Sequence, residues 1–299
     1  MLDISVVLAG ATGDLGLRIA RALHADGTPT RALVRPDAAA AAVRALQAMG
    51  HEIFRTDLVD PAEIARACVG ASCVVSALSG LRPVIVGAQR RLLDGTVAAG
   101  VPRFIPSDFS IDFTRLPEGS NRNLDLRREF GRRLDAAPIR ATTIFNGAFA
   151  DMLGGQMPIV IGKIHRVVYW GDADTKMDFT TKDDTAAFTA RAAADPDTPR
   201  YLHVAGTKAS ARELVADAEA ATGGQFKLLR AGSLGMLAGL IKLTRRLAPQ
   251  PEAIYSPWQG MQYLHNMMSG SAKAPKLDND RYPDLAWTST RQVLAKLRD

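Results

Sequence analysis

The sequence is poor in cysteine and in aromatic residues, and it lacks a hydrophobic run long enough to span a bilayer. The aromatic fraction is 6%. The two cysteines are too few for a disulfide framework, and no cysteine or histidine cluster has metal-ligand spacing. The most apolar late run, residues 231–241, is too short for a membrane helix and is followed by Lys242. We therefore expect no structural metal, no disulfide and no membrane partner.

Acidic residues are outnumbered by basic ones, 31 to 37, which gives a net charge of +6. The basic residues are spread along the chain rather than gathered in a block, so we expect no nucleic-acid partner. The hydrophobic fraction of 47% favours a packed core. Because the chain opens on a predicted strand and is not rich in cysteine, we expect a cytoplasmic protein with no targeting segment before the fold.

Short apolar segments alternate with helical segments over the first half of the chain. Residues 4–8 are apolar apart from Ser5, which is typical of a parallel strand buried on both faces. The alternation predicts βαβ units and hence an α/β fold, a Rossmann-type doubly wound parallel sheet. The predicted strands are residues 4–8, 30–34, 51–55, 73–76, 103–106 and 141–145, and the predicted helices are residues 15–26, an alanine-rich segment ending at 49, 60–68, 83–99 and 125–136.

The second half is less regular. Its predicted strands lie within residues 159–170 and 200–204, its predicted helices are residues 181–194 and 211–222, and residues 235–268 form a longer helical stretch. We predict an NAD(P)-binding Rossmann domain over residues 1–150. Residues 151–299 are predicted to form a smaller C-terminal substrate-binding region, part of which returns to the first sheet.

A glycine-rich turn joins the first predicted strand to the first predicted helix. Glycine lets the backbone approach a pyrophosphate without an intervening Cβ, and the helix N-terminus directs its N–H groups and its positive dipole at the phosphates. A turn in this position is a strong indication of dinucleotide binding. The predicted cofactor contacts in the turn are Gly10, Thr12, Gly13, Asp14, Leu15 and Gly16.

The residues after the next strands indicate which dinucleotide is bound. An acidic residue after the second strand holds the ribose of NAD, whereas an arginine accommodates the 2′-phosphate of NADP. Arg35 stands at that position, which predicts NADP(H). Asp57, after the third strand, is placed to accept from the adenine amino group. Ala77 and Leu78, after the fourth strand, complete the predicted cofactor contacts on this side.

Five stretches of this sequence, in this order, resemble the NmrA-like, isoflavone reductase-like family of atypical short-chain dehydrogenases/reductases. The resemblance implies NADPH-dependent reduction of a small aromatic or carbonyl-type substrate. It also implies cofactor contacts by Ser107 and Phe109 after strand five, and by Asn146 and Phe149 after strand six. The stretches are the glycine turn, Leu33-Val34-Arg35, residues 100–109 (GVPRFIPSDF), Asn146-Gly147-Ala148-Phe149, and residues 282–285 (YPDL) with residues 288–290 (TST).

One departure from related enzymes concerns the catalytic groups. Many short-chain dehydrogenases pair a tyrosine with a lysine four positions later, and none of the five tyrosines here has that lysine. The resemblance places Arg127 where the reductase branch has its own lysine. Arg127 is therefore a catalytic candidate that acts by charge, or else part of a basic helix face with Arg128 and Arg132. Asp108, at the end of strand five, is the second catalytic candidate.

Two functions remain open at this point. The first is an NADPH-dependent reductase of a small apolar, aromatic molecule, phenylpropanoid-like or a ketone or enone. The second is an NmrA-like sensor or regulator that binds NADP(H) without turnover. A homodimer is compatible with either function. His165 is a weaker catalytic candidate, and the methionine-rich stretch 235–268 supplies either a substrate pocket or ordinary core.

Overall fold

Six parallel strands form the central sheet of the computed structural model, which describes residues 6–296. Their order, β3-β2-β1-β4-β5-β6, reverses direction between β1 and β4 and confirms the predicted Rossmann-type doubly wound sheet. The strands are β1 (Val6–Ala9), β2 (Thr30–Val34), β3 (Glu52–Arg55), β4 (Cys73–Ser76), β5 (Arg103–Ile105) and β6 (Arg140–Ala141), and the helices between them are α1 (Asp14–Ala25), α2 (Ala40–Ala48), α3 (Pro61–Cys68), α4 (Gln89–Ala98) and α5 (Arg122–Asp135).

The local sequence accounts for most of these boundaries. Every residue of β1 and β4 is buried, as expected for central parallel strands. The predicted strand over residues 4–8 starts at Ile4, which lies outside the described residues. Helix α3 begins after Asp60, whose side chain accepts from the Ala62 N–H at 2.8 Å, with Pro61 at the first helical position.

Right-handed crossovers place α1 and α2 on one face of the sheet and α3, α4 and α5 on the other. The second face is closed by an apolar cluster in which Phe104 of β5 and Phe130 of α5 lie 6.2 Å apart between ring centroids. Residues of the sheet and of all three helices contribute to this cluster, among them Val7, Leu33, Ile64, Leu92 and Leu134.

Three predicted helices differ in detail from the structure. The first six residues of the helix predicted over 83–99, Pro83–Ala88, form a π-helical turn before α4. Helix α5 begins at Arg122 rather than at residue 125, because the Asn121 side chain caps it by accepting from the Asn123 N–H at 3.1 Å. The stretch predicted over residues 235–268 is two helices, and the second begins with Pro257.

The remaining elements form three small sheets with helices around them. The sheets have the orders β14-β10-β9, β13-β11-β8 and β12-β7. The strands are β7 (Thr143–Phe145), β8 (Ala148–Phe149), β9 (Val160–Ile161), β10 (Arg166–Trp170), β11 (Met177–Thr180), β12 (Tyr201–His203), β13 (Thr207–Ala209) and β14 (Lys227–Gly232), and the helices are α6 (Lys182–Ala194), α7 (Ala211–Thr222), α8 (Leu234–Leu247), α9 (Pro257–Met268) and α10 (Thr290–Ala295).

The chain divides into two compact units that are interleaved in sequence. The first consists of the residues up to Phe109 with Leu126–Ile144 and Thr185–Leu202, and the second consists of Ser110–Asp125, Phe145–Asp184 and the residues from His203 onward. The functional boundary at residue 150 stays a prediction. Within residues 6–296, no helix is both long enough and apolar enough to cross a membrane.

Each unit has features that fix its own packing. In the first, the buried Arg103 guanidinium donates to the carbonyls of Ala192 and Ala193 at the end of α6, at 2.7 and 2.9 Å. In the second, Met267 and Met268 of α9 belong to the apolar core, so these two methionines have the core role rather than the pocket role.

Candidate functional site

The glycine turn of the first unit lies at the point where the strand order reverses, between β1 and β4. Gly10 has a φ of +79°, and a Cβ there would lie 2.7 Å from the Ala77 carbonyl oxygen. A Cβ on Gly16 would lie 2.0 Å from the Gly10 carbonyl oxygen. Both glycines are therefore required by the fold itself, since neither contact leaves room for a side chain.

Gly13 differs from its two neighbours in the turn. Its φ of −77° is open to any residue, and a Cβ there would meet only the Gly10 carbonyl oxygen, at 3.3 Å. Gly13 is exposed and is the N-cap of α1, whose first-turn N–H groups carry the positive end of the helix dipole. The space beside it suits an anion, and Thr12 and Leu15 are accessible on either side.

Hydrogen bonds close to this turn join the end of β4 to the ends of β1 and β5. The Ala77 N–H donates to the Ala9 carbonyl at 2.8 Å, and the Ser107 hydroxyl donates to the Leu78 carbonyl at 2.6 Å. The Ser107 N–H donates to the side chain of the fully buried Gln89 at 2.8 Å. The structure thus brings together the predicted contacts after β1, β4 and β5, and adds Gln89, which the sequence did not indicate.

Arg35 follows β2 and extends into solvent. Its side chain is 71% exposed and forms an ion pair with the equally exposed Asp37, with 3.5 Å between Nε and Oδ1. The neighbouring Arg55, at the end of β3, donates to the Pro36 carbonyl at 3.2 Å and so holds the turn that carries Arg35. An exposed guanidinium with one weak partner is available to an anionic group.

Asp57 lies in a tightly bonded turn after β3. Its carboxylate is exposed, and Oδ1 accepts from the Val59 N–H at 3.0 Å. Leu58 has a φ of +59°, in the left-handed region. The Leu58 carbonyl accepts from Arg91 Nε at 2.7 Å, which holds this unusual backbone in place. The turn therefore presents the Asp57 carboxylate in a fixed position.

Asp108 is buried at the end of β5 with Arg127 of α5 nearby. Burial raises the pKa of the Asp108 carboxyl to about 6, while the positive charge of Arg127 and a hydrogen bond from the Thr143 hydroxyl at 3.0 Å act in the opposite direction. The two catalytic candidates thus interact electrostatically. A carboxyl group with this pKa exchanges its proton near neutral pH.

Arg127 differs from the exposed arginines of its helix. Arg127 and Arg128 are both half-buried, and the Nε atom of Arg127 is inaccessible to solvent, whereas Arg132 and Arg133 are exposed and Arg133 pairs with Asp94 at 3.0 Å. Glu129, one turn before Arg133, forms a two-pronged ion pair with Arg82, with both N–O distances 2.6 Å. The catalytic role of Arg127 stays a prediction, but its surroundings are unlike those of a solvated basic face.

An Asp108→Asn variant should change how stability depends on pH. Between the usual pKa of 3.8 and the folded value of about 6, the folded protein holds a proton that the unfolded chain has lost. Wild-type stability therefore falls as the pH rises through this window. Two pH units correspond to about 3 kcal/mol, so the variant should gain up to about that much relative to wild type above pH 6. Urea unfolding at pH 4, 5 and 7 measures the free energy of unfolding of both proteins. A difference between the variant and the wild type that does not change with pH would contradict the prediction.

Asn146 and Phe149, the remaining predicted cofactor contacts, belong to the second unit. The Asn146 side chain is fully buried, and within the described part of the chain neither of its amide atoms has a hydrogen-bond partner. Its backbone is fixed, because the Asn146 N–H donates to Ser110 and its carbonyl accepts from Thr180 at 2.6 Å. Phe149 is half-buried in β8. Both roles stay predictions.

The surroundings of His165 and of the two cysteines do not suggest catalytic roles for these side chains. His165 is an exposed turn residue with a φ of +49°, and its ring lies 4.9 Å from that of Phe226. Cys68 and Cys73 are buried, and burial raises the pKa of each thiol to about 11, which makes both poor nucleophiles. Among residues 6–296, no group of three or more His, Cys, Asp or Glu side chains is placed to hold a metal ion.

A doubly wound sheet with a glycine turn at its reversal point defines a dinucleotide-binding class of protein. The family model described as NmrA-like family matches residues 3–234. An isoflavone reductase homolog from Zea mays is 32% identical over 236 residues, which cover 74% of this chain and 75% of that protein. The chain belongs to the NmrA-like family.

Further relatives and solved structures agree with this assignment. Pinoresinol reductase 1 from Arabidopsis thaliana is 32% identical over 208 residues, which cover 64% of this chain and 65% of that protein. The structure of AtPrR2 with NADP+ and (+)pinoresinol has a TM-score of 0.82 at 23% identity and 98% coverage of both chains. The leucoanthocyanidin reductase–NADPH complex from Vitis vinifera has a TM-score of 0.81 at 20% identity, also with 98% coverage of both chains. At these identities the structural likeness shows the fold.

Proposed function

We propose that this protein is an NADPH-dependent reductase of a small apolar, aromatic substrate. The glycine turn carries the cofactor assignment, since the exposed Gly13 leaves the N-terminus of α1 open to an anion at a position where the fold itself does not require a glycine. The substrate class follows the relatives, whose names include isoflavone, pinoresinol and phenylcoumaran benzylic ether reductases. Phenylpropanoid-like ketones, enones and aryl ethers are therefore the first compounds to test.

The residues of the first unit fit NADPH by their chemistry. Amide groups at the start of α1 suit the pyrophosphate, and the exposed Arg35 suits the 2′-phosphate. Asp57 is held in a fixed turn and is an acceptor for the adenine amino group. The ends of β4 and β5, which Ser107 ties together, lie on the same edge of the sheet as the turn.

The choice of NADPH over NADH is tested by Arg35→Ala. A charge-assisted contact to a phosphate contributes about 1.5–3 kcal/mol, or roughly ten- to a hundredfold in affinity. The variant should lose that much affinity for NADPH and little for NADH, as measured by calorimetry with both cofactors. Arg44→Ala, on the same side of the sheet in α2, is a control for general loss of positive charge. Equal losses for NADPH and NADH would contradict the assignment.

Asp108 and Arg127 are the groups of this chain that we assign to the chemical step. When bound, NADPH supplies the hydride that adds to an electrophilic substrate carbon, and a proton must reach the atom that accepts the displaced electron pair. The Arg127 guanidinium is a cationic group that stabilises developing negative charge. The Asp108 carboxyl holds or releases a proton near pH 6 and is the acid of the pair.

The direct test is the decay of NADPH absorbance on addition of aromatic ketones, enones and aryl ethers. Turnover of one class, with NADPH preferred over NADH, is the expected result. A protein that binds NADPH and turns over none of these compounds would instead support the second candidate, an NADP(H)-binding sensor. That candidate is favoured by the resemblance to the family, which places Arg127 where the reductase branch has a lysine.

A further inference from the structure

A chain of hydrogen bonds leads from the buried Asp108 to the surface of the first unit. The Thr143 hydroxyl donates to Asp108 Oδ2 at 3.0 Å and accepts from Arg200 Nη1 at 2.8 Å. Arg200 Nε donates to Asp135 Oδ1 at 2.8 Å. Thr143 is fully buried, whereas the Asp135 side chain is 52% exposed. This series of hydrogen bonds therefore connects the inaccessible carboxyl group of Asp108 to the exposed carboxyl group of Asp135.

Backbone pairing holds Thr143 and Arg200, the two middle residues of this series of hydrogen bonds, beside each other. The Thr143 N–H donates to the Arg200 carbonyl at 2.8 Å. The Arg200 guanidinium is further held by the Tyr201 ring, 4.5 Å from its centroid, and by Asp135 at the C-terminal end of α5. Arg200 thus reaches the Thr143 oxygen from a fixed position.

The direction of each hydrogen bond follows from donor chemistry. A guanidinium has only donors, so the Thr143 oxygen must be the acceptor toward Arg200. The single hydroxyl hydrogen of Thr143 then points at Asp108 Oδ2. Because Oδ2 receives this hydrogen, a proton carried by Asp108 belongs on the other oxygen, Oδ1.

We propose that Thr143 and Arg200 are positioning residues for Asp108, which keep its Oδ2 an acceptor and confine its acidic proton to Oδ1. The consequence for turnover rests on the proposed function, whereas the effect on the Asp108 carboxyl does not. Neither residue has to touch substrate or cofactor to act in this way. Arg200 acts through Thr143, and Thr143 acts through Asp108.

Three charged groups act on the carboxyl in addition to the hydroxyl. Arg127 from α5 and Arg200 favour the carboxylate, and Asp135 at the end of α5 opposes it. Removing the Thr143 hydroxyl or the Arg200 cation should therefore raise the pKa of Asp108. Removing the Asp135 charge should lower it. The pKa of Asp108 should therefore move up in the Thr143 and Arg200 variants and down in the Asp135 variant. General damage to the fold would not shift this pKa in opposite directions.

The experiment is a ¹³C NMR titration of the side-chain carboxyl groups in the protein without cofactor, with Asp108 assigned by the signal missing from Asp108→Asn. Thr143→Val and Arg200→Met should each raise the Asp108 midpoint by about one pH unit, the value of one hydrogen bond to a charged group. Asp135→Asn should lower it, and Thr143→Ser should restore the wild-type midpoint. Thr142→Val is the matched control, because the Thr142 hydroxyl contacts Thr198 instead, at 2.7 Å.

Two outcomes would overturn the proposal: equal midpoints in Thr143→Val and Thr142→Val, or a shift in the same direction for Asp135→Asn and Arg200→Met. Because Arg200 and Asp135 are partly exposed, their variants give the direction of the shift in the Asp108 midpoint even where Thr143→Val does not fold. If a substrate is found, the pH at which kcat/KM changes should follow the same order. A protein without reductase activity leaves the titration intact, so failure of the proposed function and failure of this proposal are separate results.

Discussion

We expect a Gly13→Val variant to fold and to lose detectable binding of both NADPH and NADH. A Cβ at this position meets only one backbone oxygen, at 3.3 Å, so the sheet and α1 accept it with a small adjustment. The branched side chain would then occupy the space directly beside the first-turn N–H groups of α1. An anion held by those groups would be displaced, because the pyrophosphate must approach the backbone closely.

The neighbouring glycines supply the contrast that makes this result specific. Gly16→Ala places its Cβ 2.0 Å from the Gly10 carbonyl oxygen, a backbone atom that cannot move alone. We expect this smaller substitution to lower the unfolding midpoint, whereas Gly13→Val should unfold close to wild type. Thermal unfolding and calorimetry on the same preparations separate stability from binding. Retained NADPH binding by Gly13→Val would show that the turn is not the phosphate site.

The central strands of the first sheet were well predicted from sequence because they are buried on both faces. The strand predicted over residues 141–145 was wrong in its extent, because the chain divides there between β6, at the edge of the first sheet, and β7, which pairs with β12. The Thr30–Val34 and Cys73–Ser76 boundaries match the predictions, and each strand is bounded by turn or capping residues. The strands of the second half were harder to detect. Lys227–Gly232, for example, is exposed along most of its length and carries no apolar alternation, so its pairing with β10 has no local signal.

The positions of the predicted cofactor contacts in the first unit could be proposed from sequence for a related reason. They follow directly after strands of known order, and parallel strands bring their carboxyl ends to one edge of a sheet. The groups that hold them were not predictable. Gln89 reaches Ser107 from a helix, and Arg200 reaches Thr143 across 57 residues of sequence. Such contacts depend on tertiary packing, and no spacing in the sequence encodes them.

Arg127→Ala should lower turnover by about a hundredfold, the typical loss when one group that stabilises an oxyanion is removed. NADPH affinity should change little, because the proposed phosphate and adenine contacts lie after β1, β2 and β3. Two features of the structure favour this result over a surface role: the Nε atom of Arg127 is buried, and the charge of Arg127 acts on the buried Asp108 carboxyl. Steady-state kinetics on a substrate from the NADPH panel, with calorimetry for the cofactor, make the measurement.

Two further variants decide what kind of group Arg127 is. Arg132→Ala removes an exposed charge from the same helix and should leave kcat and KM near their wild-type values. Arg127→Lys introduces the lysine that the resemblance assigns to this position in the reductase branch, and it should keep or increase activity. Because a guanidinium stays charged across the working range, Arg127 itself should give no limb in the pH–rate profile of the wild type. A limb in the pH–rate profile of the wild type should instead arise from Asp108, and it should be absent from the profile of Asp108→Asn. Kinetics of Arg127→Ala no different from those of Arg132→Ala would place Arg127 outside the chemical step and leave Asp108 or water as the proton source.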